Sequence, residues 1–540
     1  MKTLLRVFSV VLVMAVLLTA CAPKASTPAE RPVVILASDQ PGSADPAENW
    51  TFGGAAYLPH VYEGLFRYAG STSPELTPLL AAEVPTKDNG GISADGLVYT
   101  IKLVQNATFH DGSPVNADAV VYSYERIKAL QLGANGITAD WADTIEKVDD
   151  FTVKFTLKQP FADFLNSMGS VWGNYIVNPV VAKANDKETD WGHAWLLDHD
   201  AGSGPYVMAS VDPEQNTITL ERYADYWGGT KGQGNIQSAI IRWGTEPAAA
   251  RSMLEKGDAD AWVNPQAPDF AALQSTAGMT AIKFPSIMQY YLAFNGSAAP
   301  LDDPKVRQAL QYTFDTDKVI TDIFNDTLTK MAAAVGPGYP DVYPAKTQYT
   351  FDLEKAKTLL SEAGYANGFE LTANKMGFFP NDAAVLEFWQ ADLAKVGVTL
   401  KIQELDGGVF GTAWFTDCTA GTSPNIGQVS ALGVGGDYPS AWEVAAQVFP
   451  VPRLGGAKCS AVYIDDPKVN ELFTQIANET TVSGRKPLFQ DLYNTLADDA
   501  GAIWIGQALD LVVYRNALKG YEYFFSMGGN YLPLDKMTLE

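Results

Sequence analysis

The apolar and polar positions along the chain predict strands and helices that alternate throughout its length. Short apolar runs such as residues 32–36 are typical of buried strands, and the alternating segment 152–157 is typical of a strand with one exposed face. Helical periodicity is clearest over residues 117–129. Proline favours the first turn of a helix, so we expect helices to begin at Pro304 and Pro467, each preceded by an aspartate cap. This mixture indicates an α/β chain with mixed sheets.

The first 21 residues combine a positively charged start with an apolar run. Lys2 and Arg6 precede residues 7–18, which are apolar except for one serine and too short to span a bilayer comfortably. The run ends in Leu-Thr-Ala-Cys21, which resembles the bacterial lipobox. We therefore expect residues 1–20 to be removed as a lipoprotein signal peptide and Cys21 to carry a lipid. An ordinary signal peptide or a buried first helix is the alternative.

The rest of the chain has the composition of an acidic globular protein. Residues 21–31 are small, polar and proline-containing, and they predict a flexible tether. No later stretch of 18 apolar residues predicts a membrane span, and roughly 520 residues exceed what one core serves, so two or more lobes are expected. Loss of Lys2 and Arg6 leaves 36 of 38 basic side chains against 62 acidic ones, a net charge of −26. This charge argues against nucleic acid and anionic membrane surfaces as partners.

Two cysteines remain after Cys21, and they form an even pair. In an exported chain, Cys418 and Cys459 predict one disulfide that closes a loop of about 40 residues and stabilises the fold by about 3–4 kcal/mol. Two unpaired buried thiols are the alternative. Glycine, serine and proline are frequent between the cysteines, so this segment is predicted to be mostly loop.

Four blocks of sequence carry recognisable patterns in a fixed order. They lie at residues 95–126, at 202–206 with 223–229, at 292–295 with 303–310, and at 354–365 with 390–398. The first includes Thr-Phe-His-Asp-Gly, and the second ends in Tyr-Trp-Gly-Gly. Over nearly the whole mature chain, these blocks resemble family 5 of the solute-binding proteins, the peptide- and nickel-type receptors of bacterial ABC importers. Each block also has a structural interpretation, as turns, strand ends and core positions, without any ligand contact.

The resemblance implies the type II periplasmic-binding-protein fold, in which two lobes are joined by two crossover segments. The crossovers are expected near residues 290–295 and 509–515. The first lobe would then comprise residues 32–290 and 512–540, with an extra subdomain at 75–200, and the second lobe would comprise residues 296–508. Such lobes close on a ligand by a hinge motion.

Asp437 is the main candidate for a ligand contact. It lies in Gly435-Gly-Asp-Tyr-Pro439, and in peptide-binding relatives an aspartate in a Trp-x-x-Asp-Tyr context accepts the α-ammonium group of the ligand. Here the aspartate and Tyr438 are kept, but Val434 stands in the tryptophan position. A carboxylate in a closed cleft is costly alone, and an ammonium group would satisfy it through charge-assisted hydrogen bonds. The alternative is that Asp437 caps the turn before Pro439.

Aromatic residues are concentrated on both sides of the expected cleft. Trp414 and Trp442 lie near Asp437 in the sequence, and Trp50 and Phe52 fall where relatives line the wall of the first lobe. Aromatic faces pack against peptide side chains or stack on sugar rings. Packing inside the second lobe is the alternative for those near Asp437.

The sequence contains no recognisable catalytic or metal-binding constellation. Its four histidines are scattered, and it has no zinc-type spacing, no phosphate-binding loop and no nucleophile elbow. We therefore expect no enzyme activity, no cofactor and no metal. The resemblance implies a monomeric, lipid-anchored receptor on the outer face of the cytoplasmic membrane, which delivers its ligand to an ABC permease. Peptide is the first choice of ligand, oligosaccharide the second, and a secreted hydrolase is a distant alternative.

Overall fold

The structure is a computed structural model that describes residues 31–70, 75–132, 136–229, 234–377, 381–406, 427–449, 462 and 466–540. The predicted signal peptide, the lipidation of Cys21, the ligand contact of Trp414 and the disulfide between Cys418 and Cys459 lie outside these residues. At Arg31, the last residue of the predicted tether, the guanidinium donates to both carboxylate oxygens of Asp260 at 2.7 and 2.5 Å. This contact ties the start of the described chain to the central sheet.

Eighteen strands occur in the described residues. They are β1 (Val33–Ala37), β2 (Phe66–Tyr68), β3 (Leu76–Pro78), β4 (Val98–Lys102), β5 (Ala142–Asp149), β6 (Thr152–Leu157), β7 (Tyr206–Asp212), β8 (Thr217–Arg222), β9 (Ser238–Trp243), β10 (Ala261–Val263), β11 (Met279–Phe294), β12 (Leu328–Lys330), β13 (Glu370–Lys375), β14 (Thr399–Glu404), β15 (Val429–Gly435), β16 (Ala502–Arg515), β17 (Leu518–Lys519) and β18 (Thr538–Leu539). Eleven of these form one mixed sheet in the order β14-β13-β15-β11-β16-β10-β1-β9-β8-β7, with β12 also paired to β16. The smaller sheets are β4-β6-β5, β2-β3 and β17-β18.

Two long antiparallel strands, β11 and β16, connect the two halves of the large sheet. Residues 279–285 of β11 pair with residues 509–515 of β16 on the side of β10, whereas residues 288–294 pair with β15 on the other side. The register between β11 and β16 shifts between Pro285 and Gln289, so a bulge marks the crossing. We call the half with β1 and β7 to β10 the first lobe, and the half with β13 to β15 the second lobe. The residue limits given for the lobes stay a prediction.

The helices in the described ranges lie mainly on the faces of these sheets. They are α1 (Leu58–Val61), α2 (Ala117–Leu130), α3 (Phe164–Met168), α4 (Pro179–Ala184), α5 (His193–Leu196), α6 (Pro247–Lys256), α7 (Ala267–Gln274), α8 (Pro304–Gln311), α9 (Thr316–Asp322), α10 (Leu353–Glu362), α11 (Asp382–Ala394), α12 (Ala441–Val448), α13 (Pro467–Asn478) and α14 (Val482–Asp499). Short 3₁₀ turns cover Phe52–Ala56, Ala139–Trp141 and Phe525–Met527. Among these helices, none has both the length and the apolar character needed to cross a membrane.

Local sequence explains where several helices begin. Asp303 accepts the amide of Lys305 at 2.8 Å at the start of α8, and Asp466 accepts the amide of Lys468 at 2.7 Å at the start of α13. Both helices begin at the predicted proline, which fits the first turn because it has no amide hydrogen to leave unpaired. The predicted caps are thus confirmed, and the helix predicted over residues 117–129 is α2.

The segment between Cys418 and Cys459 contains regular structure, so the prediction that it is mostly loop is wrong for the part described. β15 and α12 occupy most of residues 427–449. β15 is paired on both sides, with β11 and β13, and its side chains are largely buried. A strand buried on both faces has no alternation of polar and apolar residues, so its small residues resembled a loop.

Buried polar contacts hold the chain between β1 and β7 together and tie it to the segment that follows β8. The guanidinium of Arg126 on α2 donates to the carboxylate of Asp45 at 2.8 Å, and both side chains are buried. Glu63, also buried, accepts the hydroxyl of Tyr226 and the indole N–H of Trp227, each at 2.7 Å. These contacts give Arg126, Tyr226 and Trp227, which lie in the recognisable blocks, a structural role.

Candidate functional site

Two loops meet across the cleft between the lobes. The loop that follows β1 carries Trp50, and the loop that follows β15 carries Asp437. The indole Nε1–H of Trp50 donates to Oδ1 of Asp437 at 2.7 Å. Trp50 is 42% exposed, whereas Asp437 is 8% exposed. The structure therefore brings together two residues that the sequence analysis placed on opposite walls of the cleft.

The first-lobe loop is held in shape by its own side chains. The amide of Asn49 donates to the carbonyl oxygens of Pro41 and Ser43 at 2.8 and 2.5 Å, which folds the loop back on itself. Thr51 then caps the 3₁₀ turn by accepting the amide of Gly54 at 3.1 Å. A Cβ on Gly54 would lie 2.2 Å from the side-chain oxygen of Asn49, so only glycine fits there. The position of Trp50 is therefore built into the local sequence.

Phe52 packs at the junction of the two lobes. Its ring meets that of Trp172 edge to face, with the centroids 5.6 Å apart. A Cβ on Gly435, at the end of β15, would lie 3.2 Å from the ring of Phe52, so glycine allows this close approach. Because Gly435 belongs to the second lobe, Phe52 contributes to the contact between the lobes.

The loop that carries Asp437 is fixed by contacts from both lobes. Within the second lobe, the amide of Asp437 donates to Oε2 of Glu443 at 3.0 Å, and Gln447 Nε2 lies 3.5 Å from Oδ2 of Asp437. From the first lobe, the hydroxyl of Ser170 donates to the carbonyl oxygen of Asp437 at 2.7 Å. Ser440 caps α12 by accepting the amide of Glu443 at 3.3 Å. This network therefore fixes the backbone at Asp437, while Trp50 and Gln447 contact its carboxylate.

Tyr438 and Trp442 are covered by the protein itself. Tyr438 is buried, and burial raises the pKa of its hydroxyl well above the ordinary value. The indole N–H of Trp442 donates to the carbonyl oxygen of Phe473 at 3.0 Å, and its ring lies 5.1 Å from that of Phe161 in the first lobe. Both side chains are buried, and their ligand contacts stay predictions.

Sequence reasoning missed a second group of polar residues beside the hinge. Asp510 on β16 is 6% exposed, and its Oδ2 lies 2.8 Å from the hydroxyl oxygen of Tyr523. Burial raises the pKa of the Asp510 carboxyl to about 6. Asp39 follows β1, and desolvation also raises the pKa of its carboxyl. The available signal was a single carboxylate inside the apolar run Leu509-Asp-Leu-Val-Val.

Two buried tyrosines bracket the hinge bulge, one from each side. The hydroxyl of Tyr523 donates to the carbonyl oxygen of Pro285, and the hydroxyl of Tyr339 donates to that of Ile287, both at 2.5 Å. Tyr339 also accepts the amide of Gly436 at 2.9 Å, next to Asp437. The loop that carries Asp437 and the hinge bulge are therefore linked through the side chain of Tyr339.

The imidazole of His110 is held by two polar contacts. His110 Nδ1 lies 2.8 Å from Asp200, and its Nε2 lies 3.0 Å from the carbonyl oxygen of Gly204, so both ring nitrogens are occupied. Across the residues that the structure describes, no three histidine, cysteine, aspartate or glutamate side chains are grouped as a metal ion requires.

The arrangement around Asp437 is suited to binding a cationic or hydrogen-bonding ligand.

Solved structures of similar shape establish the fold. The ABC transporter-associated periplasmic binding protein DppA of Helicobacter pylori, in complex with peptide STSA, has a TM-score of 0.77 at 22% identity, covering 94% of this chain and 98% of that chain. A dipeptide-binding protein of Pseudoalteromonas sp. SM9913 in complex with Met-Leu has a TM-score of 0.77 at 20% identity, covering 94% and 100%. The predicted fold class, the type II periplasmic-binding-protein fold, is confirmed.

Sequence comparison establishes the family. The glutathione-binding protein GsiB of Pectobacterium atrosepticum is 26% identical over 476 residues, which cover 85% of this chain and 84% of that protein. The family model for bacterial extracellular solute-binding proteins, family 5 Middle, matches residues 75–449, well over half of the chain. Such homologues are extracytoplasmic receptors that bind solutes. The chain belongs to family 5 of the bacterial extracellular solute-binding proteins, as its four sequence blocks predicted.

Proposed function

We propose that this protein is the peptide-binding receptor of a bacterial ABC importer, which holds its ligand between two lobes and delivers it to a membrane permease. The observation that carries the proposal is the meeting of Trp50 and Asp437 across the cleft. It sets a buried carboxylate of one lobe against an aromatic side chain of the other, an arrangement that would suit the ammonium group and the side chains of a peptide. The similarity to a glutathione-binding protein supports a peptide as the ligand class.

The α-ammonium group of the peptide would bind the carboxylate of Asp437. The indole of Trp50 and the amide of Gln447, which donate to this carboxylate in the structure, are neutral donors. A charge-assisted hydrogen bond contributes about 1.5–3 kcal/mol, more than a neutral one. Trp50, Phe52 and Asp437 are the proposed contacts, with Trp414 as a further one outside the described residues. Tyr438 and Trp442 are proposed to support the loop from beneath.

The role requires binding and release without any reaction. Contacts from both lobes to one ligand favour the closed arrangement, because the ligand then binds the closed form more tightly than the open one. The bulge between Pro285 and Gln289 is the point at which the two connecting strands would bend. No cofactor or metal is needed for this function, and a monomer suffices.

The proposed location is the outer face of the cytoplasmic membrane, through a lipid on Cys21. One lipid-modified cysteine and a short tether would keep the receptor close to its permease. When the full-length gene is expressed, mass spectrometry of the purified mature protein should show a lipid-modified amino terminus at Cys21. An unmodified chain that begins elsewhere would contradict this anchor.

The proposed disulfide between Cys418 and Cys459 has a simple test. Alkylation of the denatured protein without reductant should leave both thiols unmodified, and prior reduction should add two alkyl groups by mass. Two alkyl groups in the absence of reductant would support unpaired thiols instead.

The ligand class is tested by thermal shift followed by calorimetry. Peptides such as trialanine, Met-Leu and glutathione should raise the melting temperature, whereas oligosaccharides should not. Asp437→Asn should then weaken binding of the active peptide at least tenfold, or about 1.4 kcal/mol. N-acetylation removes the ammonium group, so an acetylated peptide should bind wild type and variant equally weakly.

A suitable control for this experiment is Asp392→Asn. Asp392 is a buried carboxylate on α11 that pairs with Lys395 at 2.6 Å, away from the cleft. This variant should bind peptide like wild type. Unchanged affinity in Asp437→Asn would remove the proposed role of that residue, and a shift with oligosaccharides alone would reassign the ligand.

A further inference from the structure

We propose that Asp163 of the first lobe is a positioning residue, which holds the loop of Asp437 in its ligand-binding position and thereby favours closure before any ligand arrives. The inference rests on the proposed function, which makes the cleft the ligand site. It adds that Asp163, a residue outside that site, affects how the site binds ligand. The contact that carries it joins Asp163 to two second-lobe side chains, Ser440 and Arg485. We call these three residues the latch.

The latch is a desolvated set of hydrogen bonds between the lobes. Nη1 of Arg485, on α14, donates to Oδ1 of Asp163 at 2.9 Å, and the hydroxyl of Ser440 donates to Oδ2. Asp163 is 2% exposed and Arg485 12% exposed. Opening of the lobes would separate both donors from the carboxylate and return all three groups to water.

The latch acts on the ligand loop through a short chain of contacts. Ser440 lies three residues after Asp437 and also caps α12 by accepting the amide of Glu443. Glu443 in turn accepts the amide of Asp437 at 3.0 Å. A shift of Ser440 would therefore move the group that orients Asp437. This is the physical reason to expect an effect on the ligand from a residue that does not touch it.

One rigid segment of the first lobe supplies both contacts to this loop. Asp163 precedes α3, and Ser170, which donates to the carbonyl oxygen of Asp437 at 2.7 Å, follows it. The segment is fixed from behind, because Tyr68 donates to the carbonyl oxygen of Asn166 at 2.6 Å and Asn174 to that of Ser167 at 2.8 Å. The segment 163–170 can therefore act as a fixed platform against which the ligand loop closes.

Apolar and backbone contacts beside the latch join the facing surfaces of the two lobes. The ring of Trp442 packs on Phe161, which is stacked on Trp141 at 3.8 Å. The amide of Ala162 donates to the carbonyl oxygen of Ala477 at 2.9 Å. These contacts supply the attraction between the surfaces. Within the proposal, the buried ion pair of the latch sets their relative position, since such a pair adds little net stability. The latch therefore selects the register in which the apolar surfaces meet.

Arg485 keeps a partner when the lobes separate. Its Nε lies 3.7 Å from Oδ2 of Asp341, on the second-lobe side of the hinge strands. The charge of Arg485 is therefore partly compensated in the open form, and the main change on opening falls on Asp163. Asp163→Asn keeps the size of the side chain and removes the charge, so it is the sharpest test of the latch.

The experiment uses the full chain without ligand and measures hydrogen exchange and small-angle X-ray scattering. In Asp163→Asn we expect amide exchange at residues 437–449 to rise at least tenfold and the radius of gyration to increase, with exchange in β1 and β9 unchanged. Asp392→Asn, a buried carboxylate paired within the second lobe, should behave as wild type. Wild-type exchange and radius in Asp163→Asn would overturn the proposal.

A second variant and a ligand measurement keep the result interpretable. Ser170→Ala removes the other platform contact with little change in volume, and it should raise exchange in the same residues. If exchange rises throughout β1 and β9 in both variants, the effect is global unfolding and the latch is rejected. With trialanine as the probe, Asp163→Asn should increase the dissociation rate about tenfold. Failure of all peptides to bind would reject the peptide assignment, while the ligand-free measurements would still decide the latch.

Discussion

At the scale of single residues, the cleft is marked by carboxylates that the fold removes from water. Asp437 and Asp163 are compensated by hydrogen bonds from the opposite lobe, and their burial depends on the contact between the lobes. Asp510 is different, because its surroundings belong to the hinge and raise its pKa to about 6 through burial. The groups that face it are Tyr523, Ser286 and the like charge of Asp39.

Asp510 predicts a specific dependence of stability on pH. A carboxyl whose pKa is raised in the folded state binds its proton more tightly there, so its contribution is present below pH 4 and is lost as the pH rises through about 6. Asparagine does not titrate, so Asp510→Asn removes this pH-dependent loss of stability. The free energy of unfolding of the variant, minus that of wild type, should therefore increase by about 2 kcal/mol between about pH 4 and 7.

Urea unfolding at several pH values between these limits measures that difference. Both proteins share all other titrating groups, so the subtraction reports Asp510 together with its interaction with Asp39. Parallel curves for the two proteins over the whole range would contradict the prediction.

At the scale of elements, short-range signals determine where helices begin, and strand pairing determines where the site lies. Asp352 accepts the amides of Glu354 and Lys355 at 3.1 and 2.9 Å and caps the start of α10. The site instead depends on β15, which the composition predicts to be loop. Its neighbours β11 and β13 come from distant parts of the chain. Pairing between distant segments leaves no periodic trace in a strand buried on both faces.

The cap of α10 gives a prediction at this scale. Asp352→Ala removes the acceptor of two amides at the amino terminus of the helix and should lower the free energy of unfolding by about 1 kcal/mol, measured by urea denaturation. Asp352→Ser restores a capping side chain and should recover most of that loss. An alanine variant as stable as wild type would show that the cap contributes nothing here.

At the scale of the whole molecule, closure joins surfaces from both lobes into one apolar cluster. Phe161 and Trp141 of the first lobe belong to the same cluster as Trp442 and Phe473 of the second. A further cluster lies within the second lobe around Trp389. The apolar contact between the lobes favours closure, whereas the acidic surface opposes any compact arrangement through repulsion of like charges.

The charge of the whole molecule predicts a response to salt. With 62 acidic against 38 basic side chains, the full chain has a net charge of −24 at pH 7. Raising NaCl from about 10 to about 300 mM shortens the screening length from about 30 to about 6 Å and weakens this repulsion. The melting temperature, measured by calorimetry at pH 7, should therefore rise. A constant or falling value would indicate that surface ion pairs outweigh the net repulsion.

Sequence alone determined the family, the α/β class and many element boundaries, because these depend on local patterns. Proline, aspartate caps and apolar periodicity act within a few residues, and the four blocks are continuous segments. The sequence also drew attention to Trp50 and Asp437 separately, by their positions in such segments.

Only the tertiary structure decided how these residues meet. Trp50 and Asp437 are 387 residues apart, and Asp163 and Arg485 are 322 apart, yet each pair forms a hydrogen bond across the cleft. Their distance depends on the path of β11 and β16 between the lobes, not on any local pattern. Burial likewise arises from the whole fold, which is why the desolvated carboxylate of Asp510 and the covered ring of Trp442 could not be read from their neighbours in the chain.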